Sequence, residues 1–366
     1  MTRDATGHTD GSRGDLPGLD LAALRRHLDE HAPDVLPGEL TASLIAGGKS
    51  NLTYVVTGAH EGSERSLVLR RPPLGHVLAT AHDMGREYRV MSALADTAVP
   101  VPTTYLLVED DAVLGAPFYL MERAAGTPYR SAAELSPLGP DRTRAIGMRL
   151  LDILGLLHAV DPAAVGLADF GHPDGFCERQ VRRWGQQLER SRSRDLAGAD
   201  ELHARLSQDI PSGQAGAIVH GDYRLDNLLV DSHVDPSGDA TDTVTAVLDW
   251  EMATLGDPLT DVGLLVVYNE LATLLRGGGG GLVLDVSRAD GYPTMPEQLG
   301  AYVAASGRDL SRLSWYVALG YYKLAVILEG IHYRHTKGQT VGAGFATIGE
   351  YVEPLLAGGL TALKER

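Results

Sequence analysis

The stretch HGDYRLDNLLV, residues 220–230, places a histidine, two aspartates and an asparagine directly before an apolar run. Such an apolar run is typical of a buried strand. A further β-rich stretch then leads to LDWE, residues 248–251. The whole pattern indicates strand, polar loop, strand, polar turn, strand and a second loop. Since a hairpin returns the chain to where it started, Asp222, Asn227 and Asp249 are predicted to meet at one end of it.

These three side chains carry oxygen, which is the ligand atom that Mg²⁺ prefers in proteins. Two of them would hold the metal. A free aspartate beside a metal-bound phosphate would accept the proton of a hydroxyl and orient it for in-line attack. The alternative is that Asp, Asn and Gly here form turns, because they hydrogen-bond readily to their own backbone. For a single residue the two interpretations are equally good, whereas the complete pattern favours phosphoryl transfer.

Composition excludes several classes of function. The 366 residues are 44% apolar, which is enough to build two lobes. A net charge of −16 argues against binding to nucleic acid or to an anionic membrane surface. Cys177 is the single cysteine, so no internal disulfide is expected. The sequence shows neither a secretory signal nor the roughly 18 apolar residues of a membrane span, and a cytoplasmic protein is expected.

The first lobe is predicted to carry a sheet. Residues 1–18 are rich in Gly, Asp, Ser and Thr and are expected to be disordered. Residues 19–123 show five strand patterns, and Tyr88, Met91 and Leu94 mark one intervening helix. A five-stranded antiparallel sheet with one helix follows from this order.

The second lobe, residues 124–366, is predicted to be mainly helical outside the hairpin. One amphipathic helix is indicated by apolar side chains at helical spacing, namely Ile146, Leu150, Leu154 and Leu157. The glycine-rich residues 276–281 break the helical pattern, and the sequence leaves open whether they move as a lid.

The motifs HGDYRLDNLLV and VLDWEMATLGDPLTDVG resemble the aminoglycoside and choline kinase-like phosphotransferases. That resemblance implies an α+β, bilobal, protein kinase-like fold and an ATP- and Mg²⁺-dependent kinase that acts on a small molecule. It implies that Asp222 is the catalytic base, that His220 supports its loop, and that Asn227 and Asp249 bind Mg²⁺. The aspartates of GDPLTD, Asp257 and Asp261, are expected to brace this region.

In the first lobe the resemblance directs attention to AGGKSNLTYVV, residues 46–56. A Walker A loop is excluded, because that motif needs glycine where Ser43 stands and should open a helix rather than a strand. The glycine-containing turn would instead cover nucleotide phosphates with its backbone and with Gly48, Ser50 and Asn51. A plain hairpin turn is the alternative.

Three further nucleotide contacts are implied by the same resemblance. Where the family places a phosphate-contacting lysine, SLVLRRPP offers Arg70, or Arg71 if the strand register is shifted by one residue. An arginine differs from lysine in geometry because it can clamp phosphate with two donors. Glu87, on the following helix, would be its ion-pair partner. The backbone of Met121, Glu122 and Arg123 would form the hinge that contacts adenine.

The sequence does not fix the identity of the phosphate acceptor. From about residue 40 onward the chain is similar to kinase-like domains that are fused to acyl-CoA dehydrogenases, which implies a hydroxyacyl compound or hydroxyacyl-CoA. Residues 315–338 mix aromatic and basic side chains and would either line an apolar pocket with an anion-binding rim or form a packed amphipathic helix. His332 and His335 are weak evidence for a metal site. An antibiotic kinase and a catalytically silent nucleotide-binding module are the alternatives, and the sequence does not decide ATP against GTP or the oligomeric state.

Overall fold

In this computed structural model the described residues are 16–45, 51–60, 62–74, 83–213, 216–234, 240–274, 284–339 and 345–364. Three predicted features therefore lie outside them: the tail up to residue 15, the turn residues Gly48 and Ser50, and the glycine run at 276–281. No helix within the described ranges combines the length and the apolar character that crossing a bilayer requires.

The chain divides into two compact units. The first unit contains residues up to Ala125 together with Thr245–Glu251, and the second contains Gly126–Val244 and Met252–Arg366. The sequence predicted a single domain boundary after residue 123. In the structure the first unit also includes the later segment Thr245–Glu251. This segment belongs to the first unit because the backbone N–H of Val247 donates a hydrogen bond to the carbonyl of Pro100 at 2.8 Å.

The first unit is built on the predicted five-stranded antiparallel sheet, which the structure confirms. Its strands lie in the order β1-β2-β3-β5-β4. Their bounds are β1 Glu39–Leu44, β2 Leu52–His60, β3 Ser63–Arg71, β4 Thr104–Val108 and β5 Phe118–Glu122. In this register Arg70 on β3 is paired with Thr53 on β2 and with Tyr119 on β5. The end of β3 is therefore an interior position of the sheet.

Three helices accompany this sheet: α1 Leu21–His31, α2 Met84–Leu94 and α3 Asp111–Leu114. Asp20 and Asp83 cap the first two by accepting hydrogen bonds from backbone N–H groups of the first turn, which is the usual role of aspartate at a helix N-terminus. The core of this unit joins α1 and α3 to the sheet through Leu19, Leu24, Leu28, Leu36, Leu40, Tyr54, Val56, Leu67, Leu69, Val108, Leu114, Phe118 and Leu120.

Residues 16–18, which the sequence assigns to a disordered tail, have defined contacts in the structure. Leu16 and Leu19 form an isolated bridge. The carbonyl of Pro17 accepts a hydrogen bond from the Tyr54 hydroxyl, and the carbonyl of Gly18 accepts one from Arg71. Residues 16–18 are ordered because the sheet supplies donors for their carbonyls.

The second unit is mainly helical, as predicted. Its helices are α4 Ala132–Leu135, α5 Pro140–Ala159, α6 Phe176–Ser191, α7 Ala199–Gln208, α8 Leu259–Leu274, α9 Met295–Ser306, α10 Leu313–Thr336 and α11 Val352–Ala362. The predicted apolar stripe of α5 is buried at Ile146, Leu150, Leu154 and Leu157. The bounds of α5 confirm the amphipathic helix that the stripe indicated.

Helix α10 is the central helix of this unit and packs against α6, α7, α8 and α11. Two glycines allow its close approach to α8. A Cβ added to Gly263 would lie 2.5 Å from the backbone of Tyr316, and one added to Gly320 would lie 3.2 Å from Val267. The helix is therefore buried on several sides over most of its length, while Arg334 and Lys337 at its end are exposed. This agrees with the packed helix expected for residues 315–338, except that burial is not confined to one face.

The HGDYRLDNLLV region folds as its pattern predicted. Strands β6 Ala217–Val219, β7 Leu228–Val234 and β8 Ala240–Val247 follow one another, and β9 Thr254–Gly256 comes after a short 3-10 helix. Two small sheets result, because β7 pairs with β8 and β6 pairs with β9. The polar residues 220–227 form the connection from β6 to β7.

Candidate active site

The loop that carries Asp222 is held by its backbone. Asp261, in the first turn of α8, accepts hydrogen bonds from the N–H of His220 at 2.7 Å and from the N–H of Gly221 at 2.8 Å. Asp261 and His220 are both fully buried. The expected bracing role of Asp261 is consistent with these contacts, which fix the two residues before Asp222.

Asp261 is supported in turn by a buried histidine. The Nε2 atom of His158 on α5 lies 3.3 Å from Asp261, and its Nδ1 atom lies 2.8 Å from the hydroxyl of Tyr302. Burial lowers the pKa of His158, although Asp261 opposes this effect. Burial would raise the pKa of Asp261, but hydrogen bonds from His158 and the loop backbone hold it below its usual value. An ionised Asp261 beside a neutral His158 follows from both directions.

Asp222 and Asn227 are linked within the loop. The backbone N–H of Asp222 donates to Nδ1 of His220 at 3.3 Å, and the Nδ2 group of Asn227 donates to the backbone carbonyl of Asp222 at 2.9 Å. The Asp222 side chain is 29% exposed and lies 3.9 Å from the guanidinium of Arg224. Because the amide nitrogen of Asn227 is used inside the loop, its amide oxygen is the atom that can serve a ligand.

Two residues that sequence reasoning did not assign to this loop also contact it. The Tyr268 hydroxyl on α8 donates a hydrogen bond to Oδ1 of Asp222. The ammonium of Lys323 on α10 donates to the carbonyl of Gly221 at 2.8 Å and lies 5.7 Å from the ring centre of Trp184. Burial lowers the pKa of Lys323, while the charges of Asp222 and Asp261 partly offset that effect. No local sequence pattern marks either residue as part of the site, because both reach the loop through the packing of their helices.

In the first unit the guanidinium of Arg70 lies close to three carboxylates. Arg70 Nε lies 3.0 Å from Glu87, and Arg70 Nη2 lies 2.6 Å from Asp249 and 3.8 Å from Glu251. Arg71 points elsewhere, because its guanidinium donates to the carbonyls of Gly18 and Leu114. Successive side chains of a strand face opposite sides, so only one of the two arginines can meet Glu87. The ion pair expected between Glu87 and one of them is formed by Arg70.

Glu87 is the buried centre of this group, with 1% of its side chain exposed. It accepts hydrogen bonds from the Tyr119 hydroxyl at 2.8 Å and from the amide of Asn51 at 3.3 Å. Asn51 also donates to Glu251 at 3.3 Å. Burial raises the pKa of Glu87, and Arg70 opposes that shift. Asn51, predicted near phosphates, thus belongs to the Arg70 cluster, by which we mean Asn51, Arg70, Glu87, Tyr119, Asp249 and Glu251.

Asp249 has an unusual backbone. Its φ is +66°, and among the described residues it is the one non-glycine residue with positive φ. The left-handed conformation costs a residue with a Cβ about 1–2 kcal/mol. Strained positions of this kind concentrate at functional sites. The strain therefore marks Asp249 independently of the motif in which it occurs.

The hinge residues lie at the end of β5. Met121 is paired with Val68 in the sheet, and the backbone N–H of Glu122 donates to the carbonyl of Thr103 at 2.7 Å. The carboxylate of Glu122 accepts two further bonds from Thr103. Since the N–H of Glu122 is already used, a nucleotide contact at this point would depend on the backbone groups on either side of it.

The two residues predicted to bind Mg²⁺ each offer a side-chain oxygen atom. Asn227 belongs to the second unit and Asp249 to the first. Within the part of the chain that the structure describes, no group of three or more His, Cys, Asp and Glu side chains could hold a metal ion, and this includes His332 and His335. One carboxylate and one amide oxygen suit Mg²⁺ that also binds phosphate and water, because this ion commonly uses few protein ligands. The chemistry of each donor is therefore compatible with Mg²⁺.

Comparison with known proteins identifies the family. The family model described as "Phosphotransferase enzyme family" matches residues 41–316. Acyl-CoA dehydrogenase family member 10 of Mus musculus is 36% identical over 312 residues, which are 84% of this chain and 28% of that protein. The chain belongs to the phosphotransferase enzyme family. It spans well under half the length of this curated relative.

Solved structures support the same fold. A crystal structure of a "putative aminoglycoside phosphotransferase" from Ralstonia eutropha is 32% identical, has a TM-score of 0.79, and covers 94% of this chain and 98% of its own. The GDP complex of wild-type aminoglycoside 2'-phosphotransferase-IIIa has a TM-score of 0.58, with 94% of this chain and 99% of that chain covered. Its 14% identity shows similarity of fold alone. The kinase-like fold implied by the sequence is thereby confirmed.

Proposed function

We propose that this protein is an ATP- and Mg²⁺-dependent phosphotransferase that phosphorylates a hydroxyl group of a small molecule. The observation that carries the proposal is the loop at Asp222. It presents a partly exposed carboxylate from a backbone that the buried Asp261 holds through two N–H groups. A fixed backbone with an accessible carboxylate is what a general base needs.

The proposed reaction assigns the proton to Asp222. The acceptor hydroxyl donates its proton to the Asp222 carboxylate while its oxygen bonds to the γ-phosphorus of ATP. The bond from the γ-phosphorus to the bridging oxygen breaks, and ADP leaves. Asn227 and Asp249 would hold Mg²⁺, which would neutralise charge on the phosphates. The proposal requires Asp249 and the Asp222 loop to serve the same nucleotide.

Arg70 is proposed to contact the nucleotide phosphates. Its guanidinium already contacts Glu87 and Asp249 at 3.0 and 2.6 Å. The planar guanidinium has several donors, so Arg70 can keep Glu87 while it presents another N–H to phosphate. Tyr119 donates to the same Glu87 oxygen, Oε2, that faces Arg70, and Asn51 donates to the other oxygen, Oε1. This arrangement would perform the task for which the family uses a lysine.

The proposed acceptor is a hydroxyacyl compound, possibly activated as its CoA thioester. Support comes from the similarity to acyl-CoA dehydrogenase family member 10, whose name refers to acyl-CoA chemistry. An aminoglycoside remains the alternative acceptor, since the Ralstonia structure carries that description.

The test is ADP release with Mg²⁺ and ATP, then with GTP, across hydroxybutyryl-CoA isomers with the hydroxyl at carbon 2, 3 or 4, their free acids, choline and kanamycin. We expect hydroxyacyl-dependent ADP release that Asp222→Ala lowers by roughly 100-fold or more. Asp231→Ala is the matched control, because Asp231 is exposed on β7. Activity on kanamycin alone would favour the antibiotic kinase, and nucleotide binding without transfer to any acceptor would favour the silent module. Full activity of Asp222→Ala would contradict the role of Asp222.

A further inference from the structure

We propose that Tyr268 is a positioning residue for phosphoryl transfer: it holds one carboxylate oxygen of Asp222, so that the other oxygen receives the proton of the acceptor. This inference rests on the proposed function, because it gives Asp222 the role of base. Tyr268 itself is not assigned any contact with substrate.

The contact pattern of the Asp222 carboxylate separates its two oxygens. Oδ1 accepts the hydrogen bond from the Tyr268 hydroxyl and is the oxygen nearest to Arg224, at 3.9 Å. Among the described residues no hydrogen bond ends on Oδ2. Since the side chain is 29% exposed, an acceptor hydroxyl can reach it from solvent. The tyrosine therefore fixes the side-chain rotation of the base without occupying both of its oxygens.

Tyr268 is itself held in place. The guanidinium of Arg224 lies 5.0 Å from the centre of its ring, and Arg224 is paired with Asp226 at 3.0 Å. A cation over an aromatic face is attracted to it, so this contact restrains the ring. Burial raises the pKa of Tyr268 well above its ordinary value. The phenol thus stays protonated and always acts as a donor to Asp222.

Helix α8 contacts the Asp222 loop at two points. Asp261 binds the loop backbone, and Tyr268, seven residues further along α8, binds the Asp222 side chain. Residues seven apart lie on the same face of an α-helix, two turns from one another. A single rigid element therefore sets both the position of the loop and the direction of its carboxylate.

The test compares Tyr268→Phe with Tyr321→Phe in the full chain. Tyr321 is a matched control, because its phenol also donates to a carboxylate, that of Glu270, in the same unit. We expect Tyr268→Phe to lower kcat with the best acceptor by roughly 10- to 100-fold, as for a hydrogen bond to a charged group. KM for ATP should stay within about twofold, since the ring and its contact with Arg224 are retained.

A spectroscopic measurement separates this inference from the proposed function. In protein labelled with ¹³C at aspartate carboxyls, the Asp222 signal, assigned with Asp222→Asn, should shift at fixed pH in Tyr268→Phe and stay unchanged in Tyr321→Phe. If wild type transfers no phosphate, the proposed function fails, and the NMR shift still decides whether Tyr268 holds Asp222. An unchanged signal, an unchanged kcat, or a gain in kcat/KM for the acceptor would overturn the positioning role.

Discussion

The Arg70 cluster of the first unit and the Asp222 loop of the second unit are both rich in charge, but they are held together differently. In the Arg70 cluster one guanidinium bridges the side chains of Glu87 and Asp249. In the Asp222 loop a buried carboxylate, Asp261, binds backbone N–H groups, and Lys323 binds a backbone carbonyl.

The difference indicates a division of tasks. Contacts between side-chain charges can be exchanged for contacts with phosphate at little structural cost, so the Arg70 cluster suits the binding and release of a nucleotide. Contacts to buried backbone groups are lost only if the loop itself moves. The Asp222 loop is therefore suited to hold a base in one place.

The largest expected effect comes from removing the bridge of the Arg70 cluster. Arg70→Met leaves Glu87 buried without its cation, and we expect a loss of about 3–5 kcal/mol in the free energy of unfolding, measured in urea. In a double-mutant cycle Glu87→Gln should recover part of this loss, because it removes the buried charge. The control is Arg71→Met, which should show a coupling with Glu87→Gln below about 0.5 kcal/mol. Equal coupling of both arginines would refute the assignment of Arg70.

A smaller effect is expected in the Asp222 loop. Asp261→Asn directs an amide N–H₂ group at one of the two backbone N–H groups, which leaves a buried donor without an acceptor. We expect a loss of about 1–3 kcal/mol in the free energy of unfolding. Asp309→Asn changes an exposed aspartate that bonds to Ser311 and should alter stability by less than about 0.5 kcal/mol. If both changes had the same small effect, the loop would not be held as described.

The strain at Asp249 gives a third, smaller difference. Glycine adopts positive φ without steric cost, so Asp249→Gly should be more stable than Asp249→Ala by about 1 kcal/mol. Both replacements remove the contact with Arg70, which makes them a matched pair. Thermal or urea unfolding measures the difference, and an alanine variant at least as stable as the glycine variant would argue against the left-handed backbone.

The stability of the second unit is also expected to depend on pH. Burial lowers the pKa of His158 below its unfolded value of 6.5, so the folded state favours the neutral imidazole. The stability that this provides is complete above about pH 6.5 and is lost as pH falls towards the folded pKa, by at most about 1.4 kcal/mol per unit. Wild type should therefore lose stability relative to His158→Gln on going from pH 7 to pH 5. A constant difference between the two would contradict a neutral, buried His158.

The sheet, the β6-loop-β7-β8 segment and helix α5 could be predicted from the sequence, because their apolar spacing and turn residues are local. The ion pair of Arg70 with Glu87 could be expected from the family resemblance, although the choice between Arg70 and Arg71 needed the strand register. These features depend on which residues are near one another along the chain or within one sheet.

Other features could not be predicted, for physical reasons. Tyr268 and Lys323 meet the Asp222 loop because α8 and α10 pack closely at Gly263 and Gly320, and no local pattern encodes that approach. Glu251 joins Asn51 from a segment 200 residues away. The positive φ of Asp249 is likewise a product of its surroundings, since positive φ is uncommon outside glycine even though aspartate adopts it more often than most residues.

In the proposed function Asp222 acts as a base and is not needed to bind the nucleotide. The most direct test measures calorimetric binding of Mg²⁺-ATP and single-turnover formation of ADP for wild type, Asp222→Asn and the control Asp231→Asn. We predict that Asp222→Asn binds the nucleotide with a Kd within about twofold of wild type but forms ADP with the acceptor at least roughly 100-fold more slowly. Turnover by Asp222→Asn at the rate of the Asp231→Asn control would contradict the account.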